Sequence, residues 1–486
     1  MPVSLVWIRN DLRLADNPAL IAGLGSGRPV IPVYVLDEET DGIRLRGAAS
    51  RWWLHHSLRA LDASLRSLGS RLVLRHGAAE QVIDDLAQES GASAIYWNRA
   101  YDQGTRERDA RIKLSFDRRG VTAEGLKANL LFEPWEVRTT SDGAYKVFSS
   151  FWRACRAMHA PGAPLPAPRK LPAPDIWPSS DELSTWRLIP TAPDWAGGLG
   201  ATWTPGEAAA ITRLSDFLDD ALADYRQGRD IPSRKATSRL SPHLAFGEIS
   251  PRQIWRAATT RGHSAASDKF LAELGWREFA YNMLFHTGDL AQRNFRPEFD
   301  RFPCLDEDEA LDAWRVGRTG FPIVDAGMRE LWTTGWMHNR VRMIAASFLT
   351  KDLLIDWRAG ERWFWDTLVD ADPANNPMGW QWVAGSGADA APFFRIFNPV
   401  LQGEKFDPDG DYVRRWGARA RLAASQDDPP TLDGRSSHSS GRLSRADHRP
   451  CGGAAAGVAG FSQYSRKCSL VQRIPATADP ARKEKY

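Results

Sequence analysis

The chain has 486 residues, 43% of them hydrophobic and 25% charged, with a formal net charge of +3. That length exceeds one ordinary core and predicts two or three globular domains, while so small a charge excludes nucleic-acid binding driven by bulk electrostatics. No apolar run approaches membrane-spanning length, and the start MPVSLVWIRNDLRL lacks the charged and apolar regions of a signal peptide.

Strands are expected at residues 4–9, 29–37, 71–77 and 93–99, with TAEGLKANLLFE (122–133) closing the series. Helices are expected between them at 18–23, 47–68, 78–89 and 105–119. This alternation implies right-handed crossovers and an α/β fold: a five-stranded parallel sheet with helices on both faces. Ligands of such sheets sit beyond the carboxyl ends of the strands. The turn after the first strand, RNDLRLADN, carries no GxGxxG, so the dinucleotide fingerprint is absent.

Residues from about 160 to 205 are dense in proline and favour extended, surface-tracking chain, with Trp186 and Trp195 expected to dock it on the domains. From 205 to 416 the pattern is helical, which predicts an all-α domain. Within it, 206–228 reads as one helix, Ser241 and Ser250 each precede a proline as N-caps, and 338–357 reads as one buried central helix. The layout is therefore 1–133, a linker at 134–204, a helical domain at 205–416, and a tail at 417–486. The tail is rich in Ser, Arg, Gly and Pro and poor in aliphatics, a composition expected to stay disordered. Cys155, Cys304, Cys451 and Cys468 form no close pair or metal spacing, which fits a reducing cytoplasm.

Tryptophan is the informative residue: there are 21, and none lies beyond Trp416. The segments TSRLSPHLAFGEISPRQ (237–253), ELGWREF (273–279), TGFPIVDAGMRELWTTGWMHNRVRM (319–343), LLIDW (353–357) and GWQWVAGSGADAAPFFRIFNPVLQGEKFD (379–407) together resemble the photolyase/cryptochrome family, most closely its class I cyclobutane pyrimidine dimer photolyases. The resemblance implies an N-terminal antenna domain and a helical domain that binds FAD, active in the reduced state. It implies a pyrophosphate cradle at Thr237, Ser238, Arg239, Leu240 and Ser241, further FAD contacts at Tyr225 and Phe270, and flavin contacts at Arg342, Asp370, Asp372 and Asn376.

On the substrate side it implies that Glu273, Trp276, Asn339, Met343, Asn376 and Trp382 carry catalysis on a flipped-out dimer, with Trp276 and Trp382 stacking on it. Asn339 and Met343, without a second histidine beside His338, point to cyclobutane rather than (6-4) lesions, and leave His338 structural. Arg229, Trp276, Arg340, Arg395, Gln402 and Lys405 are the implied DNA-facing residues. The implied partner is DNA containing pyrimidine dimers, met by a monomer with no membrane association.

Three departures stand out. Of the family's three relay tryptophans, Trp380 and Trp357 match the inner two, but the outer position is Cys304; Trp314 and Trp336 are the candidate substitutes. Gly104 and Thr105 precede RERD where folate-binding relatives have an Asn–Glu pair, which argues against folate and leaves a deazaflavin, another flavin or an empty antenna site. The resemblance is expected to stop at Trp416, as after a shifted reading frame or a diverged terminus. The expected function is light-driven splitting of cyclobutane dimers by a carbon–carbon lyase. Its rivals are a cryptochrome-like flavin photoreceptor without repair activity and, from 1–130 alone, a nucleotide-binding α/β enzyme.

Overall fold

Alternating side chains decide the first half. In β1 (Val3–Ile8), Leu5 and Trp7 face one core while Val6 and Ile8 face another, and all four are buried. The other elements follow in strict alternation: α1 (Pro18–Gly25), β2 (Val30–Leu36), α2 (Ala48–Ser67), β3 (Val73–His76), α3 (Ala79–Ser90), β4 (Ala92–Asn98), α4 (Gln103–Arg118) and β5 (Thr122–Leu126). The sheet order is β3-β2-β1-β4-β5, every pair parallel, with Leu5 registered on Ile31 at one side and Ile95 at the other. Helices α1 and α2 cover one face, α3 and α4 the other. The expected sheet is present, although β5 ends at Leu126 rather than running to residue 133.

The structure, a computed structural model, describes residues 2–390 and 396–423, with side chains as far as 417. After α5 (Phe148–Ala157) the proline-rich stretch docks as expected: Asp181 N donates to Leu74 O at 2.8 Å, and buried Trp186 lies 6.1 Å from Tyr34. Then come α6 (Gly197–Thr202), α7 (Glu207–Asp216), α8 (Tyr225–Gly228), α9 (Ser241–Ala245), α10 (Pro251–Thr260), α11 (Ala265–Thr287) and α12 (Asp308–Arg315). The remainder is α13 (Pro322–Thr334), α14 (Asn339–Ser347), α15 (Trp357–Thr367), α16 (Asn375–Ala384), α17 (Pro399–Phe406) and α18 (Asp411–Ala423).

Four local readings change. The expected helix at 206–228 is broken by a π turn at Phe217–Ala221, and the one at 338–357 by another at Phe348–Asp352. Apolar composition cannot register such a slip, because Phe217 and Leu218 in the first turn and Phe348 and Leu349 in the second stay buried either way. Ser250 is an N-cap with a full capping box, but Ser241 is already the first residue of α9, with Leu240 at the cap. Helix α18 runs seven residues past Trp416 to Ala423; the rest of the tail, Cys451 and Cys468 included, lies outside the described residues.

Met1–Ala420 form one compact unit, and buried polar groups join its halves. The RNDLRLADN turn is spent on this docking: Arg252 binds both Asp16 oxygens at 2.6 and 3.0 Å, and Leu14 N and Ala15 N donate to Glu207 at 2.7 and 2.9 Å. Glu248, fully buried, accepts from Trp53 Nε1 at 3.1 Å and Gly206 N at 2.7 Å, and also bonds Ser57 and His243. Glu248→Ala strands these donors and is expected to destabilise the fold by about 3–5 kcal/mol, read as a lower urea midpoint at unchanged slope.

His338 caps α14, its ring accepting from Arg340 N at 3.2 Å. Burial pushes its imidazole down to about 4, with neighbouring Arg340, Arg229 and Arg342 adding to that and Asp230 opposing it. The unfolded chain therefore takes up the proton first, so this stability is present above pH 6.5 or so and is lost as pH falls toward 4. Between pH 7 and pH 5 the parent should lose on the order of 2 kcal/mol more than His338→Gln in urea unfolding.

Candidate functional site

Two large cavities lie among the described residues of this unit. The larger, about 920 Å³, opens beyond the carboxyl ends of β1, β2 and β4, where Arg9, Asp37 and Asn98 line it together with Arg44, Tyr281 and Glu361. This is where a doubly wound sheet binds ligands, at the reversal of strand order. The GT pair offers little here: Gly104 has no side chain, and the Thr105 hydroxyl is committed to Asp102 at 2.6 Å.

The second cavity, about 560 Å³, lies in the helical half. Every residue expected to touch the cofactor or the lesion lines it: Tyr225, Thr237, Ser238, Arg239, Leu240, Ser241, Phe270, Arg342, Asp370, Asp372 and Asn376, with Glu273, Trp276, Asn339, Met343 and Trp382. Residues more than 150 positions apart meet because α8, α9, α11, α14 and α16 converge on one space. Trp380 lines it as well; Trp357, Cys304, Gln402 and Lys405 do not, and Arg395 lies outside the described residues.

At one end Arg239 has a left-handed backbone (φ 51°) and is wedged between Trp203 and Trp336, 4.6 Å from each ring. Its Nε is buried without an acceptor. With the hydroxyls of Thr237 and Ser238 alongside, this is a donor set suited to an anion. Helix α9 has only five residues, so side chains, not a helix terminus, provide the attraction.

Deeper in, Arg342 Nη2 binds both Asp370 oxygens at 2.8 and 3.1 Å, and its Nε donates to Met337 O at 2.7 Å. Asp372 is buried and held from two sides: Oδ1 accepts from Ala374 N, Asn375 N and Asn375 Nδ2, and Oδ2 from Tyr281 at 2.6 Å. Burial beside Asp372 holds the Tyr281 phenol well above its usual range, so it stays a donor. Asn376 donates its amide to Glu361, at 2.8 Å to Oε1 and 3.2 Å to the main-chain oxygen. Its Oδ1 takes no hydrogen bond from the described residues and remains an acceptor.

The aromatic wall is held from behind. Trp276 stacks on Phe148 at 3.8 Å and 10°, which commits one face and leaves the other. Trp382 is anchored through Nε1 to Asp389 O at 3.1 Å. Glu273 pairs with Arg229 and, at 3.0 Å, with Lys269; Arg340 pairs with Asp230 at 2.8 Å. The expected rim cations at 229 and 340 thus already have acidic partners. Arg340 also lies 4.3 Å over Phe406, which Lys405 approaches at 5.2 Å, so α17 borders the rim.

Trp380 is buried against Phe364 (4.9 Å) and Trp314 (6.1 Å), and an added Cβ on Gly360 would collide with its ring. Trp357 is buried with Nε1 on Asn294 at 2.9 Å, and exposed Cys304 lines a small cavity with it. Tyr281, Glu361 and Phe148, which grip the expected site residues, were not singled out from sequence. For Glu361 a signal existed: an acid flanked by the tryptophans and phenylalanine of WRAGERWFWDT is on an aromatic helix and needs a partner when buried.

Family models describe residues 4–171 as DNA photolyase and 270–426 as the FAD binding domain of DNA photolyase. The second match continues past Trp416, which corrects the expectation that the resemblance stops there. A deoxyribodipyrimidine photo-lyase of Agrobacterium fabrum is 54% identical over 85% of this chain and 86% of its own. Cryptochrome-1 of Arabidopsis thaliana is 38% identical over 85% of this chain and 62% of its own. The crystal structure of a bacterial class III photolyase from Agrobacterium tumefaciens superposes with a TM-score of 0.84 at 52% identity, covering 87% of each chain. That likeness overturns the expected kinship with class I. With both halves matched and a relative this similar across most of its length, the chain belongs to the DNA photolyase and cryptochrome family.

Proposed function

We propose that this chain is a light-dependent DNA repair enzyme, a deoxyribodipyrimidine photo-lyase of the class III branch, acting on cyclobutane pyrimidine dimers. The observation that carries the reading is the convergence of all the cofactor and lesion candidates on one cavity. When bound, reduced FAD supplies the light-excited electron that opens the cyclobutane ring and recovers it afterwards. A photoreceptor without repair activity is the weaker reading, because identity to the photo-lyase is 54% and to the cryptochrome 38%.

The residues present fit that cofactor. Arg239, Thr237, Ser238 and Ser241, with the Leu240 backbone, would hold the pyrophosphate, and Tyr225 and Phe270 would pack beside it. The Arg342–Asp370 pair and Asp372, whose Oδ2 accepts only from Tyr281 among the described residues, would fix the isoalloxazine, and the free Oδ1 of Asn376 would accept its reduced N–H. Trp276 and Trp382 offer the surfaces a flipped base pair needs in place of its lost stacking. Glu273, on the cavity wall beside Arg229 and Lys269, would hydrogen-bond a thymine carbonyl of the dimer. Asn339 and Met343, in contact at 3.9 Å, close the substrate side. The larger cavity is the proposed antenna site, for a deazaflavin or second flavin. Arg229, Arg340, Gln402 and Lys405 are proposed to meet phosphates, as is Arg395. No helix among the described residues is long and apolar enough to cross a membrane, and we place the enzyme in the cytoplasm as a monomer.

A dimer-containing oligonucleotide should regain its intact pyrimidines under blue light with the FAD-loaded protein, and not in the dark; no light-dependent repair would sink the reading. Trp276→Ala should weaken binding to that oligonucleotide in the dark by about 1–3 kcal/mol, while leaving undamaged DNA nearly unaffected.

Cys304 lacks an indole's π system, so charge entering through Trp380 and Trp357 has no outer partner at that position. Photoreduction of the oxidised protein by an external reductant is expected to be slow, and Cys304→Trp should accelerate it. Trp314, 6.1 Å from Trp380, is the nearest alternative donor. Rapid photoreduction of the parent that survives Trp314→Phe would overturn this assignment.

A further inference from the structure

Glu361 on α15 is buried between the halves, its side chain 1% exposed. Oε1 accepts from Arg44 at 2.7 Å and from Asn376 Nδ2 at 2.8 Å, and Oε2 accepts a second Arg44 N–H at 2.8 Å. Arg44 comes from the loop between β2 and α2. Its guanidinium lies 3.8 Å from the Trp365 ring, whose Nε1 donates to Leu45 O at 2.8 Å. One loop of the α/β half is thus gripped by α15, and its cation fixes a carboxylate that holds Asn376 in the wall of the second cavity.

An Asn side chain offers a donor end and an acceptor end, and rotating the amide exchanges them. An ionised carboxylate only accepts, so it selects the amide orientation that turns NH2 toward it and the carbonyl away. A bidentate guanidinium keeps Glu361 in that state, because burying the charge alone is costly. We propose that Arg44 is a positioning residue for Asn376: acting through Glu361, it presents Oδ1 to the cavity as an acceptor. The inference rests on the role given to Asn376 toward FAD above. Because Arg44 and Glu361 also line the larger cavity, the acceptor is set from the α/β half.

The acceptor bonds an N–H carried only by the reduced cofactor, so its loss disfavours reduction. In the full-length, FAD-loaded protein, Arg44→Ala should lower the reduced-to-oxidised ratio at fixed poise by roughly tenfold, about 30 mV for a two-electron couple. Arg44→Lys, which keeps the charge but not the fork, should shift it less. The double variant R44A/N376A should shift no further than N376A. Glu361→Gln places a donor beside the amide and should shift the potential in the same direction with Arg44 intact, which covers failure of R44A to fold. Additive shifts, or no shift in R44A and E361Q while N376A shifts, overturn the inference.

If N376A itself moves nothing, the flavin-facing role of Asn376 is what fails. Positioning is then read directly in protein labelled with 15N-asparagine, where R44A must displace the Asn376 side-chain NH2 pair and R44K displace it less. An unmoved pair overturns the positioning role whatever Asn376 faces.

Discussion

A buried carboxylate survives only where several donors converge on it, and that constraint organises this molecule. Asp16 and Glu248 are fully buried, Asp372 is 5% exposed and Glu361 1%. Asp16 leaves the first strand's turn to meet Ser250 and Arg252 at the start of α10. Glu248 reaches back to Trp53 and Ser57 on α2, and Glu361 to Arg44. Three of the four therefore take some of their donors from the opposite half. Sliding one half over the other by a residue would strand charges at each point, so the docking has one register. The position of both cavities follows from that register.

The same satisfaction rule sets what the site can do chemically. Asp372 receives four hydrogen bonds, which hold its carboxyl in one place in the cavity wall. Asn376, four residues on, receives none at Oδ1 from the described residues and keeps that oxygen for a ligand. The π turn after α14 also matters: it ends the helix before Leu354, which lets Trp357 open α15 against Asn294. A continuous helix through this segment could not place Gly360 under Trp380.

Sequence made the sheet legible because its period-2 pattern is doubled by two cores, as Leu5 and Val6 illustrate. The site residues were legible through a resemblance, not through periodicity: nothing in the spacing of Arg239 or Asn376 reveals that they share a cavity. What stayed hidden was long-range. Phe148 behind Trp276, Tyr281 under Asp372 and Arg44 beside Glu361 are each more than 90 positions from their partner or in another half, and no local rule links them. The π turns stayed hidden for the opposite reason. Their apolar residues, Phe217, Leu218, Phe348 and Leu349, are buried, so composition looks the same whether the ladder slips or not.

The pairing of the rim cations bears on how such a surface would hold DNA. Arg340 already has Asp230, and Arg229 has Glu273, so a phosphate arriving there exchanges one anion for another. Such an exchange yields less than meeting a free cation, and the whole chain carries only +3. Counterion release, the usual source of salt-dependent affinity, is then a small part of the total. Recognition shifts to the stacked surfaces and to the ease of extruding a damaged, poorly stacked base pair, where an undamaged duplex would pay in full. A rim of neutralised arginines around an apolar, tryptophan-walled cavity therefore favours selectivity for the lesion over affinity for DNA at large.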